Sequence, residues 1–209
     1  MRIGTALPSF VRLGLIAMAF AAPPQLAVAE MRAGSASEFV RAVSDDAIRV
    51  LRAGDLPKAE RDARFRALLA ERFDMPFIAR FTLGRYWNVA TVQQREAYTA
   101  TFTEFVVQVY SRRLDDYAGE ALRVISERRA GETNVVVITQ IERPSRETTE
   151  MQWRVREVDG NLRIVDVVVA GISMVVTQRD EFASVLQRQG VDGLISAMRT
   201  RADELRREG

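Results

Sequence analysis

The fold is constrained most strongly by Leu162-Arg-Ile-Val-Asp-Val-Val-Val-Ala-Gly-Ile-Ser-Met-Val-Val176. This stretch is apolar almost throughout, yet it carries charge at Arg163 and Asp166. A half-exposed strand alternates apolar and polar side chains, whereas here both faces are apolar. Simple alternation puts Val165, Val167 and Val169 on one face, and mostly Leu162, Ile164 and Val168 on the other. Both faces must then be covered, by helices on one side and by a second layer or a ligand on the other.

Three further strands precede this stretch, and short turns join all four. The predicted strands cover residues 122–128, 134–143, 148–158 and 162–170. The turn signals between them are Ala130-Gly131, Pro144-Ser145 and Asp159-Gly160, of which the last is a strong signal for a two-residue hairpin. Because short turns join antiparallel strands, the sequence predicts a four-stranded antiparallel meander.

Three helices are predicted in the first part of the chain. Ser35-Ala-Ser-Glu38 is a capping box that opens a helix ending near Gly54. Asp55 would cap a second helix that runs to about residue 73. Asp74 would start a short third helix, and Gly84 would end it.

The longest helix is predicted directly before the strands, and two more follow them. Thr91-Val-Gln-Gln94 is a second capping box, and it opens a helix to about residue 117. This helix carries a wide apolar face formed by Tyr98, Phe102, Phe105, Val106, Val109, Tyr110 and Leu114. The last helices cover 173–189 and 191–207 and are divided at Gly190. The order of elements predicts a single α+β domain over residues 30–209.

The first residues have the pattern of a secretory signal peptide. Arg2 and Arg12 precede an apolar run over residues 13–22, and Ala27-Val-Ala29 offers small residues for cleavage before Glu30. The apolar run is about half the length that a membrane-spanning helix needs. We therefore expect residues 1–29 to be removed after export.

Composition excludes several classes of function. The whole chain has 30 Lys plus Arg and 28 Asp plus Glu, and the two arginines of residues 1–29 account for the difference. Bulk charge therefore gives no support for nucleic-acid binding. The chain has no Cys and no His, which excludes Ser-His-Asp triads, Cys nucleophiles and ordinary zinc sites. We expect no cofactor and no metal site.

Three segments carry a resemblance to a known family. They are Phe81-Thr-Leu-Gly-Arg-Tyr-Trp87, Ala90-Thr-Val-Gln-Gln-Arg-Glu96, and Asp166-Val-Val-Val-Ala-Gly-Ile-Ser-Met-Val-Val-Thr-Gln-Arg179 followed by Glu181-Phe182. In order and spacing, residues 37–205 resemble the MlaC family of periplasmic lipid carriers, also described as toluene-tolerance or ABC-transporter auxiliary proteins.

The resemblance implies a fold and a function. It implies helices packed on a curved four-stranded antiparallel sheet that encloses an apolar lipid cavity. It also implies a soluble, monomeric periplasmic carrier of phospholipid, without enzymatic activity, that maintains outer-membrane lipid asymmetry. Its partners would be an outer-membrane lipoprotein complex and an inner-membrane ABC-transporter complex. Some family members occur in hopanoid gene clusters, which leaves the lipid class open.

Lipid tails would contact apolar residues of the third helix, the long helix and the strands. The predicted lining residues are Phe77, Phe81, Phe102, Val106, Tyr110, Trp153, Val155, Val165, Val167, Val169, Met174 and Val175. An ordinary filled core has the same apolar pattern, so a structural or adaptor protein remains an alternative. For the headgroup we expect Arg80, Arg85 and Arg179, because guanidinium groups match phosphate oxygens.

Asp166 is the one acid among the valines, and it would be costly if buried alone. The Asp159-Gly160 hairpin brings it near Arg154, so we expect a structural ion pair. A second hypothesis is a general base in an apolar pocket, which would make the protein a carboxylate-dependent isomerase or hydrolase acting on an apolar substrate.

Overall fold

The structure is a computed structural model that describes residues 33–52, 56–115, 121–142 and 148–208. The helical first half contains α1 (Ala33–Arg52), α2 (Lys58–Arg72), α3 (Met75–Leu83), α4 (Tyr86–Val89) and α5 (Val92–Asp115). The strands that follow are β1 (Ala121–Ala130), β2 (Asn134–Glu142), β3 (Thr149–Val158), β4 (Asn161–Val169) and β5 (Ile172–Ser173). The last element is α6 (Met174–Glu208). This arrangement confirms the predicted α+β class.

The sheet is a simple antiparallel meander in the order β1-β2-β3-β4-β5. The four predicted strands are confirmed, and β5 adds a two-residue strand where the start of a helix was predicted. Asp159 and Gly160 have φ values of 50° and 75°, as a two-residue hairpin with a type I′ turn requires. The predicted hairpin is therefore confirmed.

A β-bulge in β4 corrects the predicted faces of that strand. Arg154 pairs with Asp166, but Val155 pairs with Ile164, so Val165 is an extra residue without a partner. One extra residue shifts the alternation, so the side chains before the bulge point to the opposite face from the one that simple alternation predicts. Ile164 therefore lies on the same face as Val167, and its predicted place on the opposite face was wrong. Leu162 was wrongly placed for the same reason.

Capping residues define both ends of α3 and the start of α5. Asp74 accepts a hydrogen bond from Phe77 N at 3.0 Å, and Gly84 ends α3 with a φ of 58°. Gln94 N donates to Thr91 Oγ1 at 3.1 Å, while Thr91 N donates to Gln94 Oε1 at 3.0 Å. The predicted caps at these positions are confirmed.

Three other boundaries differ from the prediction. α1 begins at Ala33, two residues before the predicted capping box. α2 begins at Lys58 after Pro57, which provides no side-chain cap, whereas the predicted cap, Asp55, lies outside the described residues. Proline can stand there because it has no backbone N–H that needs a partner. The four-residue helix α4 was not predicted.

The final helix changes direction at Gly190, as predicted. This glycine has φ 66° and ψ −167°, which is not a helical conformation. Several other predicted features lie outside the described residues: the signal peptide at 1–29, Gly54 and Asp55, the end of the long helix at 117, and the turn at Pro144-Ser145. Among the described helices, none has both the length and the apolar character needed to cross a membrane.

Two hydrophobic clusters form the core of the described residues. The helical cluster joins α2, α3, α5 and α6, and its most buried large side chains are Tyr98, Phe102, Leu83, Leu194 and Met198. The sheet cluster joins α1 to the strands through Val40, Val43, Val137, Val155 and Ile164. α2, α3 and α6 contact the sheet through β4, while α1 contacts β1 and β2. β4 is therefore the strand where the two clusters approach each other.

Candidate functional site

The junction between β4 and α6 is built around Asp166, whose exposure is only 4%. Its Oδ2 accepts a hydrogen bond from Ser173 Oγ at 2.7 Å, and its Oδ1 accepts one from the backbone N–H of Val175 at 3.3 Å. Arg154, the cross-strand neighbour on β3, places Nε 3.7 Å from the same Oδ2. Asp166 thus connects β4 to the first turn of α6.

Ser173 and Val175 are the partners of Asp166 that sequence analysis missed. The expected partner, Arg154, has a side chain that is 56% exposed, so water screens this ion pair. Ser173 also caps α6, because its Oγ accepts a hydrogen bond from the N–H of Val176 at 3.2 Å. The sequence did carry a signal for these contacts. Ser173 stands at the start of a predicted helix, seven residues after Asp166, the isolated acid of an apolar strand.

The surroundings of Asp166 favour a structural role over a catalytic one. Both carboxylate oxygens already accept hydrogen bonds from the protein. A general base needs an oxygen directed at a substrate proton, whereas both oxygens here are directed at groups that hold the start of α6. Within the described residues, no group of three acidic side chains could hold a metal ion either.

Four of the predicted lining residues are buried, namely Phe102, Trp153, Val155 and Val165, and the first three belong to the two hydrophobic clusters. The Phe102 ring stacks on Tyr98 at 5.8 Å and meets Phe182 edge-on at 6.2 Å. The Trp153 ring N–H donates to Thr139 Oγ1 at 2.9 Å inside the sheet cluster. These contacts are those of packed core residues.

The other eight predicted lining residues stay partly exposed although they are apolar or aromatic. We call them the apolar seam: Phe77, Phe81, Val106, Tyr110, Val167, Val169, Met174 and Val175. They lie on α3, α5, β4 and the start of α6. α6 contacts each of the other three elements, and α3 contacts α5 and β4. The seam therefore offers partly exposed apolar surface at the margins of both clusters: it packs against the helical cluster on α3, α5 and α6, and against the sheet cluster at Val167.

An aromatic pair of the seam lies between two arginines from different elements. Phe77 and Phe81 have ring centroids 6.4 Å apart on successive turns of α3. The guanidinium carbon of Arg156, on β3, lies 4.1 Å from the Phe77 ring centre, and that of Arg179, on α6, lies 5.1 Å from the Phe81 ring centre. Arg156 also forms an ion pair with Asp74 at the start of α3. These contacts tie α3 to the sheet and to α6.

The three arginines predicted for the headgroup are exposed and gather near Gly84. Arg80 precedes this glycine by one turn, and Arg85 follows it directly. The Arg179 side chain lies 3.7 Å from where a Cβ on Gly84 would be. The three arginines are therefore contributed by exposed positions around the C-terminal end of α3, and their role at a headgroup stays a prediction.

A polar groove of about 370 Å³ lies elsewhere, between α5 and α6, and is lined by Ala100, Thr101, Glu104, Arg199, Ala202, Asp203 and Arg206. Burial by itself would raise the pKa of Glu104. Hydrogen bonds from Arg206, Arg66 and Gln108 outweigh this and hold that pKa below its usual value. Four of the seven residues that line the groove are charged.

Comparison with known proteins adds sequence and fold relationships. Residues 41–200 match the family model described as MlaC protein. Over 126 residues the chain is 29% identical to the intermembrane phospholipid transport system binding protein MlaC of Haemophilus influenzae. This match covers 58% of the chain and 59% of the relative.

A solved structure shares the fold. The phospholipid-binding protein from Ralstonia solanacearum, solved in complex with a phospholipid, aligns with a TM-score of 0.70 and 22% identity. The alignment covers 81% of this chain and 98% of the other. At this identity the likeness shows a shared arrangement of helices and antiparallel strands. The match to the family model, which extends over more than half of the sequence, shows that the chain belongs to the MlaC protein family.

Proposed function

We propose that this protein is a periplasmic carrier that holds the acyl tails of a phospholipid and passes the lipid between membrane complexes. The observation that carries the proposal is the membership of the MlaC family over residues 41–200. Two relatives support the ligand class, since one is named as a phospholipid transport binding protein and the other was solved with phospholipid. An outer-membrane lipoprotein complex and an inner-membrane ABC-transporter complex would be the donor and the acceptor.

The physical requirement for such a carrier is an enclosed apolar surface. Two acyl chains with about thirty methylenes, at about 0.8 kcal/mol each, face a barrier on the order of 20 kcal/mol in crossing water unprotected. The protein must therefore replace water around the tails. We assign this role to the apolar seam, because its side chains are apolar, partly exposed and contributed by adjoining elements.

With the tails bound by the apolar seam, we expect the headgroup to contribute little binding energy. The arginines near Gly84 are exposed, and exposed charges in water contribute little binding energy. Most of the affinity would then come from the tails. We therefore expect the carrier to discriminate poorly between phospholipid headgroups, whereas truncating the acyl chains would weaken binding at every methylene removed.

The direct test is to purify the protein from the periplasm and to measure bound lipid by native mass spectrometry and by solvent extraction. We expect close to one phospholipid per chain. A protein that stays empty after exposure to phospholipid vesicles, while remaining folded, would contradict the proposal. Recovery of a chemically converted lipid product would instead indicate an enzyme.

Val167→Arg tests the placement of the seam. Val167 pairs with Trp153 across β3 and β4 and is partly exposed. An arginine there would put a charge against the tails, so we expect the lipid bound per chain to fall about tenfold or more. Ile125→Arg, at a position 45% exposed on β1, adds the same charge elsewhere and should retain lipid. Equal occupancy in both folded variants would exclude Val167 from the binding surface.

A further inference from the structure

The turn from α3 through α4 into α5 carries positive charge without acids. From Met75 to Arg95 the sequence contains Arg80, Arg85 and Arg95 and has no Asp or Glu. The chain as a whole has almost equal numbers of acidic and basic residues. Basic residues are as frequent here as in the whole chain, so the net positive charge of this segment comes from its lack of acids. One acid approaches the turn from α6, where Asp192 Oδ2 accepts a hydrogen bond from Gln94 Nε2 at 2.9 Å.

These arginines are not neutralised by carboxylates in the described part of the chain. Arg85 donates to Tyr86 Oη at 3.4 Å, and its guanidinium carbon lies 5.2 Å from the Tyr86 ring centre. Arg95 donates to the backbone carbonyl of Trp87 at 2.8 Å, and its guanidinium carbon lies 5.5 Å from the centre of the Trp87 ring. Arg80 is exposed. Their positive charge therefore remains available to a partner.

Two valines beside these arginines project into solvent. Val89 is 78% exposed at the end of α4, and Val92 is 60% exposed at the start of α5. The backbone that presents them is well fixed, because Ala90 N donates to the carbonyl of Tyr86 at 3.0 Å and Thr91 caps α5. Their exposure is therefore a property of an ordered turn.

We propose that Arg80, Arg85, Tyr86, Trp87, Val89, Val92 and Arg95 form a docking surface for an anionic lipid bilayer. Arginines bind lipid phosphates, and exposed aliphatic side chains enter the outermost apolar layer of a membrane. Tyr86 and Trp87 pack against the helical cluster but stay partly exposed, which suits the interfacial region. The fully solvent-facing apolar side chains are two valines, whereas protein partners are usually anchored by larger side chains in a pocket. The chemistry therefore fits a lipid surface better than an acidic protein.

The position of this docking surface relates it to lipid exchange. Arg179 packs beside Gly84 and over Phe81, so it joins the docking surface to the aromatic pair of the apolar seam. A bilayer that contacts α4 would then lie next to the residues assigned to the tails. The purpose of the docking surface rests on the proposed carrier function, but binding to a bilayer is measured separately from lipid carriage.

The test is flotation with vesicles of phosphatidylcholine alone and of phosphatidylcholine mixed with phosphatidylglycerol, at low and at physiological salt. We expect binding to the anionic vesicles only, weakening with salt. Each arginine near an anionic surface is worth about a fivefold change in partition, so Arg80→Gln/Arg85→Gln should lower binding by about 25-fold. Val89→Ser/Val92→Ser should lower it several-fold while lipid occupancy is retained.

The matched control is Arg41→Gln/Arg128→Gln, which removes two exposed arginines from α1 and β1. It should leave vesicle binding within about twofold of the unchanged protein.

The proposal is overturned if the control weakens binding equally, or if both vesicle types bind alike. It is also overturned if the Arg80 and Arg85 variant loses its bound lipid but still binds vesicles, because these arginines would then hold the headgroup. Vesicle binding that is unchanged while binding to an acidic protein is lost would assign the docking surface to that protein.

Discussion

The two halves of α5 have similar apolar patterns and different environments. Tyr98 and Phe102 in the first half have exposures of 0% and 2% and pack against Phe182 of α6. Val106 and Tyr110 in the second half remain partly exposed and pack against the margin of the helical cluster, although Val107 of the same half is fully buried. Helical periodicity therefore predicts the apolar residues, while the neighbouring elements decide whether the predicted face is fully buried, as at Tyr98 and Phe102, or partly exposed, as at Val106 and Tyr110.

The largest effect should come from truncating the filled half. Phe102→Ala would remove a ring held by two other aromatic rings, and we expect it to lower the free energy of unfolding by about 3 to 5 kcal/mol. Val106→Ala, a smaller truncation at a partly exposed position of the second half, should cost less than about 1 kcal/mol. Urea unfolding of the empty protein measures both. A loss at Val106 as large as the loss at Phe102 would mean that position 106 is packed at least as tightly as position 102.

An intermediate effect is expected at the buried hydroxyl pair of the filled half. Thr82 Oγ1 and Tyr98 Oη lie 2.9 Å apart with both residues fully buried, and burial raises the pKa of Tyr98. Thr82→Val leaves the tyrosine hydroxyl without this partner and should cost about 1 to 3 kcal/mol. Tyr98→Phe should cost about 1 kcal/mol, and the double variant should cost less than the sum. Strict additivity would show that the hydroxyl pair is not coupled.

The smallest effect should be a pH dependence on the side of α5 that faces the polar groove. The pKa of Glu104 is lowered in the folded protein, so the unfolded chain binds the proton more readily. Ionised Glu104 stabilises the folded protein fully above the usual glutamate pKa of 4.5. This stabilisation is lost as the pH falls through the lower pKa that Glu104 has in the folded protein. Glu104→Gln should therefore flatten the acid limb of the unfolding profile measured from about pH 7 to about pH 3. An unchanged slope would contradict this linkage.

The strands and caps were predictable because their signals are local. The Asp159-Gly160 hairpin, the Asp74 cap and the break at Gly190 each depend on the conformational preferences of one or two residues. The extra residue at Val165 was not predictable, because a bulge preserves the apolar composition of a strand and changes only the pairing. α4 also escaped prediction, since four residues are too few to show a helical period.

The assignment of lining residues to the candidate site stays a prediction, because apolar pattern alone does not show how each residue is packed. Family resemblance identified the segments around Phe81 and Asp166 that the family model also covers. Apolar pattern could not separate Phe102, which is packed in the helical cluster, from Phe81, which is partly exposed. The cap at Ser173 was missed because its role depends on where β4 ends and α6 begins.

Among the described strands β1 forms one edge of the sheet, and this affects how the protein behaves at high concentration. β1 is a ten-residue edge strand, and such strands invite pairing with another chain. Here the register is interrupted between Val124 and Ser126, and exposed Arg123, Arg128 and Arg129 lie along the strand. A second strand would meet an irregular, positively charged edge, so β1 is protected against strand-by-strand aggregation even if the chain accumulates to a high local concentration.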